Sequence, residues 1–328
     1  MVNQAPAEDN YIADLCQRAF PHRDDQYITA IEFMGAWQHE MTSFTLGWRE
    51  DAAWYSEPLI LRRFKSQLSW WQVEDTGKAL REATVLSWLA GVGMLVPRMH
   101  VMESTAYGDV LLESRVPGYI WFENDRLFSR AIAPYVDEYA SLLAYVHSLE
   151  APYAIKEVVP HVTINGVLET LHGWAEHAQD SNLLHTIDRV AVLAVHVEEL
   201  TPCILHGDYH FANVMLHDRR ITGVIDWEFA AHGDPRWDVV AAYQLLVEFE
   251  AATAAERFLS VYLAESGRQF EGSPLWGVLI HLQAWALSAW LRREVVAGRQ
   301  FDFRMAEVLG DQYEEREARV LAALSAFG

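Results

Sequence analysis

What most limits the folds open to this chain is a change of texture near residue 117. Before it, short runs rich in β-branched and aromatic residues follow one another: YITAIEFMG (27–35), MTSFTLGWR (41–49), PLILRRF (58–64), RMHVME (98–103) and DVLLES (109–114). Turn residues separate them, the pattern of a small antiparallel sheet. One helically spaced stretch interrupts the series from about 74 to 91, where Leu80, Ala83, Leu86 and Leu89 recur, with Gly91 and Gly93 as a stop. After VPGY (116–119) helical periods take over, at 131–149, 165–178, 181–200, 238–246, 254–266, 276–293 and 303–327. They are broken at 203–235 by short strand-like runs and densely polar loops. The expected fold class is therefore α+β and bilobal, with a small antiparallel sheet lobe carrying one helix (1–117) and a larger, mainly helical lobe (118–328).

Composition narrows the function classes. Half of the 328 residues (51%) are hydrophobic and 22% are charged, so the chain can bury a large core and is not a disordered one. Acidic residues outnumber basic ones 46 to 25, a net charge of −21, which argues against a nucleic-acid partner. Residues 1–117 hold 16 acidic and 10 basic groups (−6) and residues 118–328 hold 30 and 15 (−15). Such a field suits a cationic ligand, although acidic surface also simply keeps a protein soluble. Cys16 and Cys203, the only cysteines, make neither a disulfide framework nor a zinc pattern. No apolar run approaches the roughly 20 residues of a membrane span, and MVNQAPAEDN lacks the marks of a signal peptide. The expectation is a cytoplasmic protein without a membrane partner, and no sequence feature specifies an oligomeric state.

The densest cluster of reactive side chains is His206-Gly207-Asp208-Tyr209-His210-Phe211-Ala212-Asn213. The segment VMLHDRRITGVI then reads as strand, turn and strand, and leads to Asp226-Trp227-Glu228. A hairpin brings its ends together, so Asn213 and Asp226 should be neighbours. Two hard oxygen ligands beside the Asp208 carboxylate suit a Mg²⁺–nucleotide site, since Mg²⁺ takes few protein ligands and completes its octahedron with phosphate oxygens and water. A carboxylate beside the metal can orient or deprotonate a hydroxyl nucleophile.

H-G-D-x-H-x-x-N followed by V-I-D-W-E resembles the catalytic region of the aminoglycoside phosphotransferase and choline kinase-like family, the small-molecule branch of the protein-kinase-like fold. Gly207 stands where kinases have Arg, and Asp-Trp-Glu where they have Asp-Phe-Gly. The resemblance implies Asp208 as catalytic base, Asn213 and Asp226 as Mg²⁺ ligands, His206 as a holder of the loop backbone and His210 on the acceptor side. In G-D-P-R-W-D (233–238), it implies that Asp234 ties down the catalytic region and that Asp238 opens a helix. Upstream, Arg62 in PLILRRF answers the phosphate-holding lysine of kinases, with Glu82 in ALREATVLSWL as its partner. An Arg there still offers a fixed positive fork. The phosphate-covering turn falls at 35–43, with a single Gly, the N–H groups of 39–42 and the Thr42 and Ser43 hydroxyls facing phosphate. DVLLESRVPG resembles the strand and hinge that hold the adenine, with backbone groups at 114–116 flanked by Glu113 and Val116.

The function so implied is a Mg²⁺-dependent kinase moving the γ-phosphate of ATP or GTP to a small-molecule hydroxyl acceptor. An aminoglycoside-like antibiotic matches the acidic field; choline or another amino alcohol, a sugar and a macrolide stay open. For a protein kinase or pseudokinase, the intact Asp208, Asn213 and Asp226 argue against a dead site, and no A-P-E follows before residue 235. A metal-dependent phosphohydrolase leaves Arg62 and Glu82 unexplained. His147, His196 and His281 read as ordinary helix histidines, Trp276, Trp285 and Trp290 as core, and 311–317 as a solvated helix face.

Overall fold

The computed structural model describes residues 8–34, 39–65, 71, 75–106, 108–120, 132–249, 251–270, 273–298 and 312–325. Its first half is a five-stranded antiparallel sheet in the order β1-β2-β3-β5-β4. The strands are β1 (Asp24–Met34), β2 (Glu40–Glu50), β3 (Ala53–Arg63), β4 (Met99–Thr105) and β5 (Gly108–Ser114). Between β2 and β3, Asp51 and Ala52 both have positive φ, the backbone of a two-residue hairpin turn whose twist matches the strands. Helix α1 (Glu8–Ala19) covers one face of the sheet. It escapes the sequence reading because its apolar stripe is narrow: Ile12, Leu15 and Cys16 alone pack fully against Phe44, Leu46, Leu59 and Leu61. Helix α2 (Lys78–Gly91) covers the other face, where Ala79 and Ala83 meet Phe64 and Leu111. It starts at Lys78, after a turn at 75–77, later than the apolar spacing suggests.

The second half is mainly helical: α3 (Val136–Ser148), the single turn α4 (Tyr153–Lys156), α5 (Ile164–Ala178), α6 (Ser181–Ala194), α7 (Arg236–Glu248), α8 (Ala252–Ser266), α9 (Ser273–Val296) and α10 (Tyr313–Ser325). Side-chain caps start two of them: Thr163 Oγ1 accepts from Gly166 N at 3.1 Å, and Asp180 Oδ1 from Leu183 N at 3.0 Å. Trp276, Trp285 and Trp290 lie in the core of this half, as their helical spacing suggests. Residues 312–317 of the acidic run belong partly to α10, where Glu314 and Glu315 face solvent, while 311 lies outside the described residues.

Two small sheets interrupt the helices. One joins β6 (His161–Val162), β10 (Ala231–Gly233) and β7 (Cys203–Leu205); the other is the hairpin β8 (Val214–His217) and β9 (Arg220–Val224). Asp218 and Arg219 at its tip both have positive φ, again the two-residue hairpin turn. These pieces carry the polar segment to the face that meets the five-stranded sheet. The fold is α+β with an N-terminal sheet lobe and a mainly helical C-terminal lobe.

Candidate active site

Strand alternation decides what the sheet lobe offers. Register pairs Met41 with Arg62, Ser43 with Ile60, and Ile60 with Glu113, so all of these share the α2 face. Arg62 Nη1 donates to both Glu82 oxygens at 2.9 Å, and Nη2 donates to Asp226 Oδ1 at 2.6 Å and lies 3.4 Å from Glu228 Oε1. Burial disfavours the guanidinium charge, yet Glu82, Asp226 and Glu228 hold its pKa well above the ordinary value. Arg63, one residue on, points the other way and meets Glu40 at 3.4 Å.

The C-terminal lobe supplies the loop around Asp208. Gly207 has φ +82°, and a Cβ there would stand 2.1 Å from the Phe229 carbonyl oxygen. That close approach explains why glycine replaces the arginine of the kinase pattern. Asp238 accepts from His206 N at 2.7 Å and Gly207 N at 2.9 Å. The residue that ties the loop is therefore Asp238, in the first turn of α7, and not Asp234, which binds Leu200 N (2.6 Å) and Arg236. His147, read as an ordinary helix histidine, stands 3.2 Å from Asp238 and 2.7 Å from the Tyr262 hydroxyl, inside the core.

The two histidines flanking Asp208 occupy different places. His206 is fully buried; its Nδ1 accepts from Asp208 N at 3.2 Å, so its proton is on Nε2, which donates to Ile225 O at 2.9 Å. Burial holds its pKa down, as suits a neutral ring bracing backbone. His210 caps the next turn through Nδ1, accepting from Ala212 N at 3.1 Å, and turns Nε2 to Asp208 Oδ2 at 3.3 Å. Burial works to raise the Asp208 carboxyl, but His210, by charge and hydrogen bond, holds it below its ordinary value. Asn213 Nδ2 donates to the Asp208 carbonyl at 3.0 Å. A carbonyl only accepts, so the amide oxygen of Asn213 must face the other way.

The hairpin brings Asn213 and Asp226 together, with Ile225 N donating to Asn213 O at 2.9 Å. Asp226 itself is left-handed (φ 69°, ψ 56°), a conformation Asp tolerates better than most residues. Beyond it the backbone is gripped by two side chains of α2 and by Trp71, which packs on Trp237 in the core of the helical lobe. Trp227 N donates to Glu82 Oε1 (3.0 Å), Arg81 Nη1 to Glu228 O (2.7 Å) and Trp71 Nε1 to Phe229 O (2.7 Å). The Glu228 side chain, 2% exposed, meets His39 Nε2 at 2.6 Å and Lys78 Nζ at 3.1 Å. His39 Nδ1 accepts from Lys65 N at 3.2 Å, so Nε2 carries the proton that Glu228 accepts. Against burial, Lys78, His39 and Arg62 keep the Glu228 carboxyl well below its usual range. As a buried anchor of this kind, Glu228 escapes the sequence reading; its one signal is an acid standing where kinases have the glycine of Asp-Phe-Gly.

The remaining expected residues divide. Ser43 shares the Arg62 face, and its Oγ accepts from Arg115 at 2.9 Å. Thr42 pairs with Leu61 and faces α1, away from Arg62. Residues 35–38 of the expected phosphate turn lie outside the described residues. Glu113 is 7% exposed with Oε2 lacking a hydrogen-bond partner among the described residues, and burial pushes its pKa up to about 7, with Arg62 opposing and Asp226 adding. Val116 is buried and abuts Gly223. Among the described residues no group of three or more His, Cys, Asp or Glu is arranged to hold a metal. The candidate ligands, the Asn213 amide oxygen and the one-third-exposed Asp226 carboxylate, are hard and few, and so suit a cation that shares phosphate ligands.

The chain is similar to known proteins in sequence profile and in fold. Residues 40–273 match the profile of the phosphotransferase enzyme family. Among solved structures, a candidate aminoglycoside phosphotransferase from Ralstonia eutropha JMP134 is similar with a TM-score of 0.72 at 14% identity, covering 97% of this chain and 98% of that one. The GDP complex of aminoglycoside 2'-phosphotransferase-IIIa gives 0.63 at 17% identity, covering 98% and 99%. A thermostable mutant of APH(4)-Ia with AMP-PNP and hygromycin B gives 0.65 at 14%, covering 92% and 95%. No curated protein matches the sequence. At these identities the structures speak for the fold, while the profile covers most of the chain. The chain belongs to the phosphotransferase enzyme family and is a phosphotransferase with a hydroxyl group as acceptor, built on the kinase-like fold.

Proposed function

We propose that this protein is a Mg²⁺-dependent kinase that moves the γ-phosphate of ATP or GTP to a hydroxyl of a polycationic, aminoglycoside-like small molecule. The observation that carries the reading is the convergence of Asp226 with Arg62 at 2.6 Å, on a hairpin end shared with Asn213 and adjoining Asp208. In this reading residues 1–117 form the nucleotide lobe and 118–328 the catalytic and acceptor lobe. Arg62, fixed by Glu82, offers its charge to the donor phosphates. Ser43 and the 114–116 hinge, flanked by Glu113 and Val116, border the nucleotide; Thr42, facing α1, is left out of that set. Asn213 and Asp226 would hold Mg²⁺, which when bound neutralises phosphate charge.

Asp208 stays ionised at neutral pH, because His210 beside it depresses its pKa. It can therefore accept a hydrogen bond from the acceptor hydroxyl and take its proton as that oxygen forms a bond to the γ-phosphorus. The bond from phosphorus to the bridging oxygen then breaks, and the nucleoside diphosphate leaves. His210, against Asp208, borders the acceptor side.

The acceptor class rests on charge. The C-terminal lobe carries the larger share of the net −21, and a cleft of one sign concentrates ligands of the other. Two of the similar proteins were solved with GDP, or with AMP-PNP and hygromycin B. The test is a nucleotide-turnover screen with Mg²⁺, each nucleotide, and panels of aminoglycosides, amino alcohols, neutral sugars and macrolides. Aminoglycosides should stimulate turnover, and the stimulation should fall as salt screens the cleft. Stimulation by neutral sugars or macrolides alone would overturn the acceptor assignment, and no stimulation by any hydroxyl compound would overturn the kinase reading.

A further inference from the structure

We propose that Glu228 is a positioning residue for phosphoryl transfer: its carboxylate locks the segment after Asp226 to the sheet lobe, so that Asp226 and Arg62 keep one fixed separation. The proposal rests on the kinase reading above and adds a residue to it. The Glu228 carboxylate draws together three separate elements of the sheet lobe. His39 precedes β2 and lies 2.6 Å away, Lys78 opens α2 at 3.1 Å, and Arg62 on β3 is at 3.4 Å. The backbone around it is held by the same lobe, through Glu82 to Trp227 N and Arg81 to Glu228 O.

The residue before Asp226 is held by the helical lobe. Ile225 N binds Asn213 O, and Ile225 O accepts from His206. Asp226, whose left-handed backbone turns the chain, stands between Ile225 and the segment that carries the Glu228 carboxylate. Trp227 also packs on His206 of the helical lobe, with 4.4 Å between ring centroids, so 227–229 is held from both sides and the Glu228 carboxylate ties it directly to Arg62. A carboxylate that is 2% exposed and engaged by His39, Lys78 and Arg62 is not placed to meet a ligand in the cleft; its action passes through Arg62 and Asp226.

A purely structural role, in which Glu228 does no more than neutralise Lys78, makes a different prediction, because removing Lys78 as well would then repair everything. The experiment compares wild type, Glu228→Gln and the double variant Glu228→Gln/Lys78→Met. Calorimetric binding of Mg²⁺·AMP-PNP and of the GTP analogue is measured together with thermal midpoints and acceptor KM. The expected result is nucleotide affinity at least about 10-fold weaker in Glu228→Gln, an effect of 1.4 kcal/mol or more, with acceptor KM within about 2-fold. In the double variant the midpoint should return toward wild type while the nucleotide affinity stays weak. The proposal is overturned if the double variant recovers both, or if Glu228→Gln binds nucleotide as wild type does. Should Glu228→Gln alone fail to fold, the double variant, which leaves no buried lysine stranded, carries the comparison. A wild-type protein that binds neither nucleotide would overturn the kinase reading itself, and this proposal with it.

Discussion

Replacing Arg62 by Met and Glu82 by Gln should not cost the same, although the two side chains form one ion pair. Arg62 has Asp226 and Glu228 as further partners, so in Glu82→Gln its charge stays compensated. The loss is then that of charge-assisted hydrogen bonds between groups of unchanged shape, about 1.5–3 kcal/mol. In Arg62→Met the Glu82 carboxylate, 1% exposed, keeps only the Trp227 amide among the described residues, and Glu228 loses a neighbouring charge as well. Stranding a buried charge costs about 3–5 kcal/mol. The expected gap is roughly 2 kcal/mol, with Arg62→Met the less stable. Urea unfolding followed by tryptophan fluorescence, without nucleotide, measures it from the midpoint and slope. The double variant should cost less than the two singles combined, with a coupling of about 0.5–3 kcal/mol, because the two groups share one network. Equal losses in the two singles, or strict additivity, would refute the reasoning.

Gly207→Ala should lose about 1–3 kcal/mol of stability and most of its turnover, since a Cβ would stand 2.1 Å from Phe229 O at φ +82°, whereas Gly91→Ala, with open space around it, should behave as wild type. Glu113 gives a pH signature: with its pKa raised from 4.5 to about 7, the native state keeps a proton that the unfolded chain has released, so stability falls as pH rises through that window. Glu113→Gln should remove that slope, matching wild type below the window and exceeding it above by at most about 3 kcal/mol; a difference independent of pH would contradict this. Asp226→Ala should abolish the Mg²⁺ dependence of nucleotide affinity, whereas Asn213→Ala should be milder and partly rescued by added Mg²⁺, as Mg²⁺ titrations of nucleotide binding would show.

Much of this arrangement is legible in the sequence, where the signal is local. The hairpin that joins Asn213 to Asp226 follows from alternating apolar residues around a polar turn, and alternation also separates Arg62 from Arg63. The lobes follow from the switch from strand-like runs to helical periods. What escapes is what depends on partners distant in sequence. Strands of two or three residues, β6 and β10, are too short to show a period and exist because β10 pairs with β6 on one side and β7 on the other. Asp234 and Asp238 sit four apart, and nothing local tells which of them reaches Gly207. Thr42 and Ser43 are adjacent hydroxyls, and only the strand register assigns them to opposite faces. Glu228 lies 189 residues from His39, so their contact becomes visible only in the folded chain.

The central claim is that the Asp208 carboxylate serves the acceptor hydroxyl. Its most direct test is steady-state nucleotide turnover by Asp208→Asn with saturating Mg²⁺, nucleotide and acceptor. The amide keeps the shape of the carboxylate and still fits beside Asn213 and His210, but it cannot take a proton. Turnover should fall by at least about 10²-fold, the usual contribution of a general base, while nucleotide affinity stays near wild type. Turnover like that of the wild type would contradict the account.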